Sequence, residues 1–197
     1  KNRTERPEDR AGRKEGGGAV LSRGRWVEAV VRLVTVSWMY IPPNGNVANV
    51  WDNHGGTATL GGISGYDMLK KEYCLPSLES GFNALMEDLT ASGLLDETLV
   101  AMYGEFGRTP KINKNAGRDH WGPCNSVVMA GGGVPGGQVF GATDEQAAYP
   151  TADKVTQDDI AATIYQALGI DPETRIHDAL DRPQTLAIGR PIDALFG

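Results

Sequence analysis

Apolar positions along the chain fall into two patterns, amphipathic stripes and short continuous runs. Leu78, Phe82, Leu85, Met86 and Leu89 trace one stripe of a helix with 3.6 residues per turn. Pro76 suits a first helical turn and Gly93 a helix end, so this pattern predicts a helix from Pro76, or from as early as Tyr66, to Gly93. A second stripe runs through Ile160, Ile164 and Leu168. Thr156 is placed to cap it, Asp158 and Asp159 sit near its positive end, and Gly169 closes it. Continuous apolar runs at Arg32–Trp38, Thr98–Tyr103 and Ser126–Ala130 read as buried strands, the first preceded by a short helical stretch at Trp26–Val30.

Between these runs lie loops. The segment from about Ile41 to Ile63 is rich in Gly, Asn and Pro, and the chain as a whole holds 26 glycines and 11 prolines. From Gly169 to Gly197 the pattern gives turns, a short extended piece and a terminal amphipathic turn. Strands separated by helices or long crossovers predict a mostly parallel sheet in an α/β fold. Residues 1–24 carry few large apolar groups and cannot offset their chain entropy by burial, so they are expected to be a disordered or unrelated lead. The domain proper is then 25–197, a length that supports one body with a core.

Charge narrows the functional classes. Residues 1–25 hold 8 Lys/Arg against 4 Asp/Glu, which leaves 11 basic and 21 acidic residues for a body near −10. An acidic body disfavours nucleic acid, whose backbone needs a basic face, and fits carboxylates gathered around cations. Cys74 and Cys124 stand fifty apart without paired-thiol spacing and read as separate thiols. No run approaches the ~18 apolar residues of a membrane span, and the charged start is not a secretory signal core. A first residue of lysine suggests a piece of a longer protein.

Ligands of an open parallel sheet bind beyond the carboxyl ends of its strands, which directs attention to three loops. They are Trp51-Asp52-Asn53-His54-Gly55-Gly56, Gly104-Glu105-Phe106-Gly107-Arg108-Thr109-Pro110 and Arg118-Asp119-His120-Trp121. Two of the chain's three histidines lie within two residues of an aspartate here, and imidazole with carboxylate is the donor set a zinc-like ion takes. The alternatives stay open: an Asx turn beside a surface histidine for Asp52 and His54, and a packed, hydrogen-bonded loop for Asp119 and His120. Glu105 is a metal candidate or a loop carboxylate paired with Arg108. Arg108 offers a guanidinium fork that matches phosphate or sulfate oxygens. Gly131–Gly137 lacks the ending of a P-loop and reads as a plain turn, and His177 as a surface residue.

Those three motifs, with the run Gly136–Gly141 and the late helix Asp159–Ile170, resemble the bacterial domain-of-unknown-function 1501 family, often described as sulfatase-like. The resemblance covers about residues 26–197. It implies an alkaline-phosphatase-like α/β/α sandwich with a mostly parallel sheet, truncated here on its N-terminal side, in which Asp- and His-held metal ions bracket a nucleophile. By position, Asp52, His54 and His120 are similar to ligands of one metal. Glu105 stands where distant relatives have the Asp of an Asp-His-Gly turn, but the following Phe106 replaces their histidine. The implied cofactor is a divalent ion (zinc, calcium, magnesium or manganese), and the implied substrate a small anionic ester.

In that reading Arg108 holds the anion and Asp119 orients His120. The resemblance also implies a periplasmic or secreted parent that carries the nucleophile, and a fragment with an incomplete site. The competing expectation is a non-catalytic scaffold whose histidines are merely structural.

Overall fold

The computed structural model describes residues 27, 31–38, 51–55, 65–70 and 74–197. The expected lead at 1–24, nearly all of the helical stretch at 26–30 and most of the loop from Ile41 to Ile63 lie outside the described residues. In chain order the elements are α1 (Gly65–Lys70), α2 (Leu75–Ser92), a 3-10 turn (Leu95–Glu97), β1 (Val100–Met102), β2 (Gly107–Arg108) and β3 (His120–Trp121). There follow β4 (Val128–Ala130), β5 (Ala142–Thr143), β6 (Pro150–Ala152), α3 (Gln157–Ala167), β7 (Arg175–His177), β8 (Pro183–Thr185) and a 3-10 turn (Asp193–Leu195). The chain divides into two units, residues 1–94 with 106–122 and residues 95–105 with 123–197.

In the first unit, α2 begins with a proline in its first turn and ends as the sequence predicts. Gly93 takes the left-handed conformation at φ 75°, its N–H donates to the Thr90 carbonyl, and the Leu94 N–H reaches back to the Leu89 carbonyl at 2.9 Å. These two bonds make a Schellman ending, which satisfies carbonyls that the helix leaves open. Of the predicted stripe, Leu89 is buried and Leu78, Phe82, Leu85 and Met86 are half-buried. The most enclosed positions are Gly81 and Ala84 beside Leu89. The reason lies in Trp38, whose indole rests on Gly81 where any Cβ would collide with it. Small residues admit the ring, and the buried face is turned accordingly.

The second unit is built on antiparallel pairs. β1 pairs with β4, Val100 opposite Ala130 and Met102 opposite Val128, and Gly131–Gly133 follow with left-handed backbone throughout. Gly132 N–H donates to the Leu95 carbonyl and Val134 N–H to the Gly131 carbonyl, so the glycine run is a turn packed on the Leu95–Leu99 segment. β5 pairs with β6 and β7 with β8. α3 carries the anticipated cap: the Thr156 hydroxyl oxygen accepts from Asp159 N–H while the Asp159 carboxylate accepts from the Thr156 main chain. Gly169 follows its end at φ 73°. The terminal tail docks on this helix, Ile192 N–H donating to the buried Thr163 hydroxyl at 3.0 Å.

The parallel sandwich is not what forms. Among the described residues there are four two-stranded sheets, all antiparallel, with no strand at 32–38, where most side chains are exposed and Leu33 is 64 % exposed. Parallel neighbours need a crossover, usually a helix, that carries the chain back to its starting end. The residues from Tyr103 to Val127 contain no helix and are spent on the short β2–β3 ladder, so β4 returns to β1 running the opposite way. The fold is α/β with small antiparallel pairs. Among the described residues no helix is long and apolar enough to cross a membrane.

Candidate functional site

Within the first unit, two chain segments meet backbone to backbone. Gly55 and Ala116 form an antiparallel bridge, and Arg118 N–H donates to the Asn53 carbonyl at 2.8 Å. The approach is that close because both sides are glycine at the crossing. A Cβ on Gly117 would overlap the His54 carbonyl, and one on Gly55, at φ 79°, would overlap the Asn115 carbonyl. From the other side, the Trp51 indole N–H donates to the Trp38 carbonyl at 2.9 Å, which ties this segment to the tryptophan seated on α2. A helix face, through one aromatic pair, thus fixes where residues 52–55 lie.

On that support Asp52 and His54 form a dyad. The His54 Nδ1–H donates to the Asp52 carboxylate at 2.5 Å, and the same oxygen accepts the His54 main-chain N–H at 3.1 Å. The second bond makes an Asx turn, the alternative that the sequence left open, and the first joins it to an imidazole. With Nδ1 protonated by this partnership, Nε2 keeps its lone pair, and Arg108 Nη1 stands 3.4 Å from it. Partial burial pushes the Asp52 carboxyl upward. The hydrogen bonds from His54, with the electrostatic pull of that ring and of the Arg108 guanidinium, outweigh that and hold it below the usual carboxylate range.

The β2–β3 ladder brings the remaining rings in. Arg108 lies opposite His120 and Gly107 opposite Trp121. The His120 ring centre is 4.7 Å from that of His54 and 4.3 Å from that of Phe106, and the Arg108 guanidinium sits 5.7 Å from the Phe106 centroid. Phe106, which the sequence marked only as a missing histidine, backs His120 with its ring and gives the guanidinium an apolar face. Asp119 does not bond to His120; its carboxylate takes a hydrogen bond from the Asn113 amide at 2.9 Å. Its role is in holding the loop, together with the Thr109 hydroxyl, which accepts from the Asp119 N–H.

Four of the six expected site residues, Asp52, His54, Arg108 and His120, therefore lie together. Glu105 belongs to the second unit, where it is exposed. Among the described residues no three His, Cys, Asp or Glu side chains gather into a set able to hold a metal ion. Two imidazoles fall short of the three protein ligands of a catalytic zinc, and Asp52 faces Nδ1 of His54. On their own, these residues do not fit a complete metal site. They do make a cluster of a guanidinium and two imidazoles, one of them held by a carboxylate. Sequence reading missed Asn113, whose signal was the turn-rich Asn113-Lys114-Asn115-Ala116-Gly117.

The family model described as "Protein of unknown function (DUF1501)" matches residues 2–196, nearly the whole chain. The chain belongs to the DUF1501 family. No curated protein and no solved structure matches this DUF1501 chain. The family's own description assigns no activity, so the chemistry of the DUF1501 site rests on the cluster itself.

Proposed function

We propose that this chain carries the anion-binding, imidazole-bearing part of a hydrolase centre for phosphate or sulfate esters, in the sulfatase-like manner that its motifs resemble. The observation that carries this is the meeting of the Asp52–His54 dyad, Arg108 and His120 on one pair of glycine-joined loops. Asp52 holds His54 in the Nδ1–H tautomer, so Nε2 presents its lone pair to Arg108 and could take a proton or serve as a donor atom once the guanidinium turns to an anion. Arg108, 3.4 Å from that nitrogen, is placed to receive an ester oxyanion beside it. A divalent ion, where bound, would supply charge stabilisation to the ester oxygens. Among the described residues His54 and His120 would be its donors. The same resemblance supports a periplasmic or secreted setting for that reaction.

The test is zinc titration of the chain by calorimetry alongside His54→Ala, His120→Ala and Asp52→Ala, with aryl phosphate and aryl sulfate hydrolysis measured in parallel. Saturable binding that either histidine variant abolishes, and that Asp52→Ala weakens roughly tenfold, is the expected result. Binding indifferent to both histidines would remove the reading. A second reading, a non-catalytic scaffold, is favoured by one contact: Arg108 already faces the His54 lone pair, as in a closed structural network. It predicts no zinc uptake and a loss of stability, rather than of binding, in Arg108→Ala.

A further inference from the structure

We infer that Asn113 is the positioning residue that sets the two imidazoles beside each other, acting through its amide group. The Asn113 side chain uses both ends. Its Oδ1 accepts the main-chain N–H groups of Asn115 and Gly117, at 2.9 and 3.1 Å, which closes the tight loop around itself. Its Nδ2 donates to the His54 carbonyl at 3.0 Å and to the Asp119 carboxylate at 2.9 Å. An amide nitrogen has two hydrogens, so this donor is fully committed, one arm to each of the segments that bear a ring. His54 is held through its own carbonyl and His120 through the residue before it. Neither arm touches an imidazole, so Asn113 acts through geometry.

The two ends separate by chemistry. Asn113→Asp keeps an oxygen where Oδ1 closes the loop, but replaces the donor with a second acceptor facing a carbonyl and a carboxylate. The turn is retained and the bridge is not. The bonds between the Thr109 N–H and the Asp119 carbonyl, and between the Gly55 and Ala116 strands, remain to hold the loop's fold. The geometric statement stands whether or not the centre hydrolyses esters; only its consequence for zinc rests on that proposal.

The experiment uses the full chain with labelled histidines. Wild-type protein should show a nuclear Overhauser contact between the His54 and His120 ring protons, and Asn113→Asp should lose it while the amide shifts of α2 stay in place. An unchanged contact in that variant overturns the inference, and so does its absence in the wild type. Should Asn113→Asp fail to fold, Asp119→Ala, which deletes one arm at an exposed position, carries the test: a weakened contact supports the role and an undiminished one overturns it. Zinc affinity is read separately and should fall roughly tenfold in Asn113→Asp. A protein that shows the ring contact but takes up no zinc keeps the positioning role and sinks the metal-site reading alone.

Discussion

Asp52 in the first unit and Asp159 in the second are both held below the usual carboxylate range by hydrogen bonds, yet they do different things. Asp159 accepts from the Thr156 hydroxyl and main chain and from the Arg190 N–H, so its bonds begin a helix and dock a tail. Asp52 accepts from an imidazole whose other nitrogen faces a guanidinium. A stabilised carboxylate is therefore no marker of a site by itself. What decides is whether its partners only tie the local chain together, as a helix cap and a tail do, or include a ring whose second nitrogen meets a guanidinium.

The comparison breaks most forcefully at glycines. A Cβ on Gly117 would overlap the His54 carbonyl, and one on Gly189 would overlap the main chain of Asp158. Backbone cannot move aside as a flexible side chain can, so Gly117→Ala and Gly189→Ala should each cost about 3 kcal/mol in urea unfolding. Their consequences should differ. Gly117→Ala should abolish the His54–His120 ring contact, while Gly189→Ala should loosen only the tail on α3. Gly122→Ala, with nothing within 4 Å of its Cβ, should change stability by less than about 0.5 kcal/mol. Loss of the ring contact in Gly189→Ala would show that the two regions are not separable.

A smaller effect sharpens the structural side. The buried Thr163 hydroxyl donates to the Asp159 carbonyl at 2.6 Å and accepts from Ile192 N–H. Thr163→Val keeps the shape and removes the acceptor, leaving Ile192 N–H without its partner at a cost of about 2 kcal/mol. Faster amide exchange at Ile192 with unaltered zinc uptake is the expected pair of readings. Unchanged exchange would mean that the tail is held by other contacts.

The same contrast explains what could be read from sequence. The helices α2 and α3 are legible because Pro76, Gly93, Thr156, Asp159 and Gly169 act within a few residues of themselves, and caps are local chemistry. Strand direction is not, because it depends on what fills the 25 residues between Met102 and Val128, and a loop ladder leaves a weaker mark than a crossover helix. The apolar runs at 98–103 and 126–130 mark the two strands, but nothing within them distinguishes a parallel from an antiparallel partner. In the site, His54, Asp52, Arg108 and His120 announced themselves by type. Asn113 did not, since an asparagine in a turn reads the same whether or not its amide spans two segments.

The smallest effect concerns acid. Because the folded pKa of Asp159 lies below its ordinary value of 3.8, chiefly through the Thr156 hydroxyl, the charged form is bound better in the folded chain than in the unfolded one. The stability this contributes is complete above the unfolded value and is lost as pH falls through the depressed folded value. Asp159→Asn cannot ionise and keeps one acceptor, so it should be weaker than wild type by about 1 kcal/mol or less near neutrality, the size of a helix cap. That difference should shrink below about pH 4, where the wild-type carboxyl takes up a proton as well. Urea midpoints measured from roughly pH 2 to 6 would show the two curves converging on the acid side. A gap that stays constant across that range would mean that shape, not charge, holds the cap, and Asp159 would then lose its likeness to Asp52.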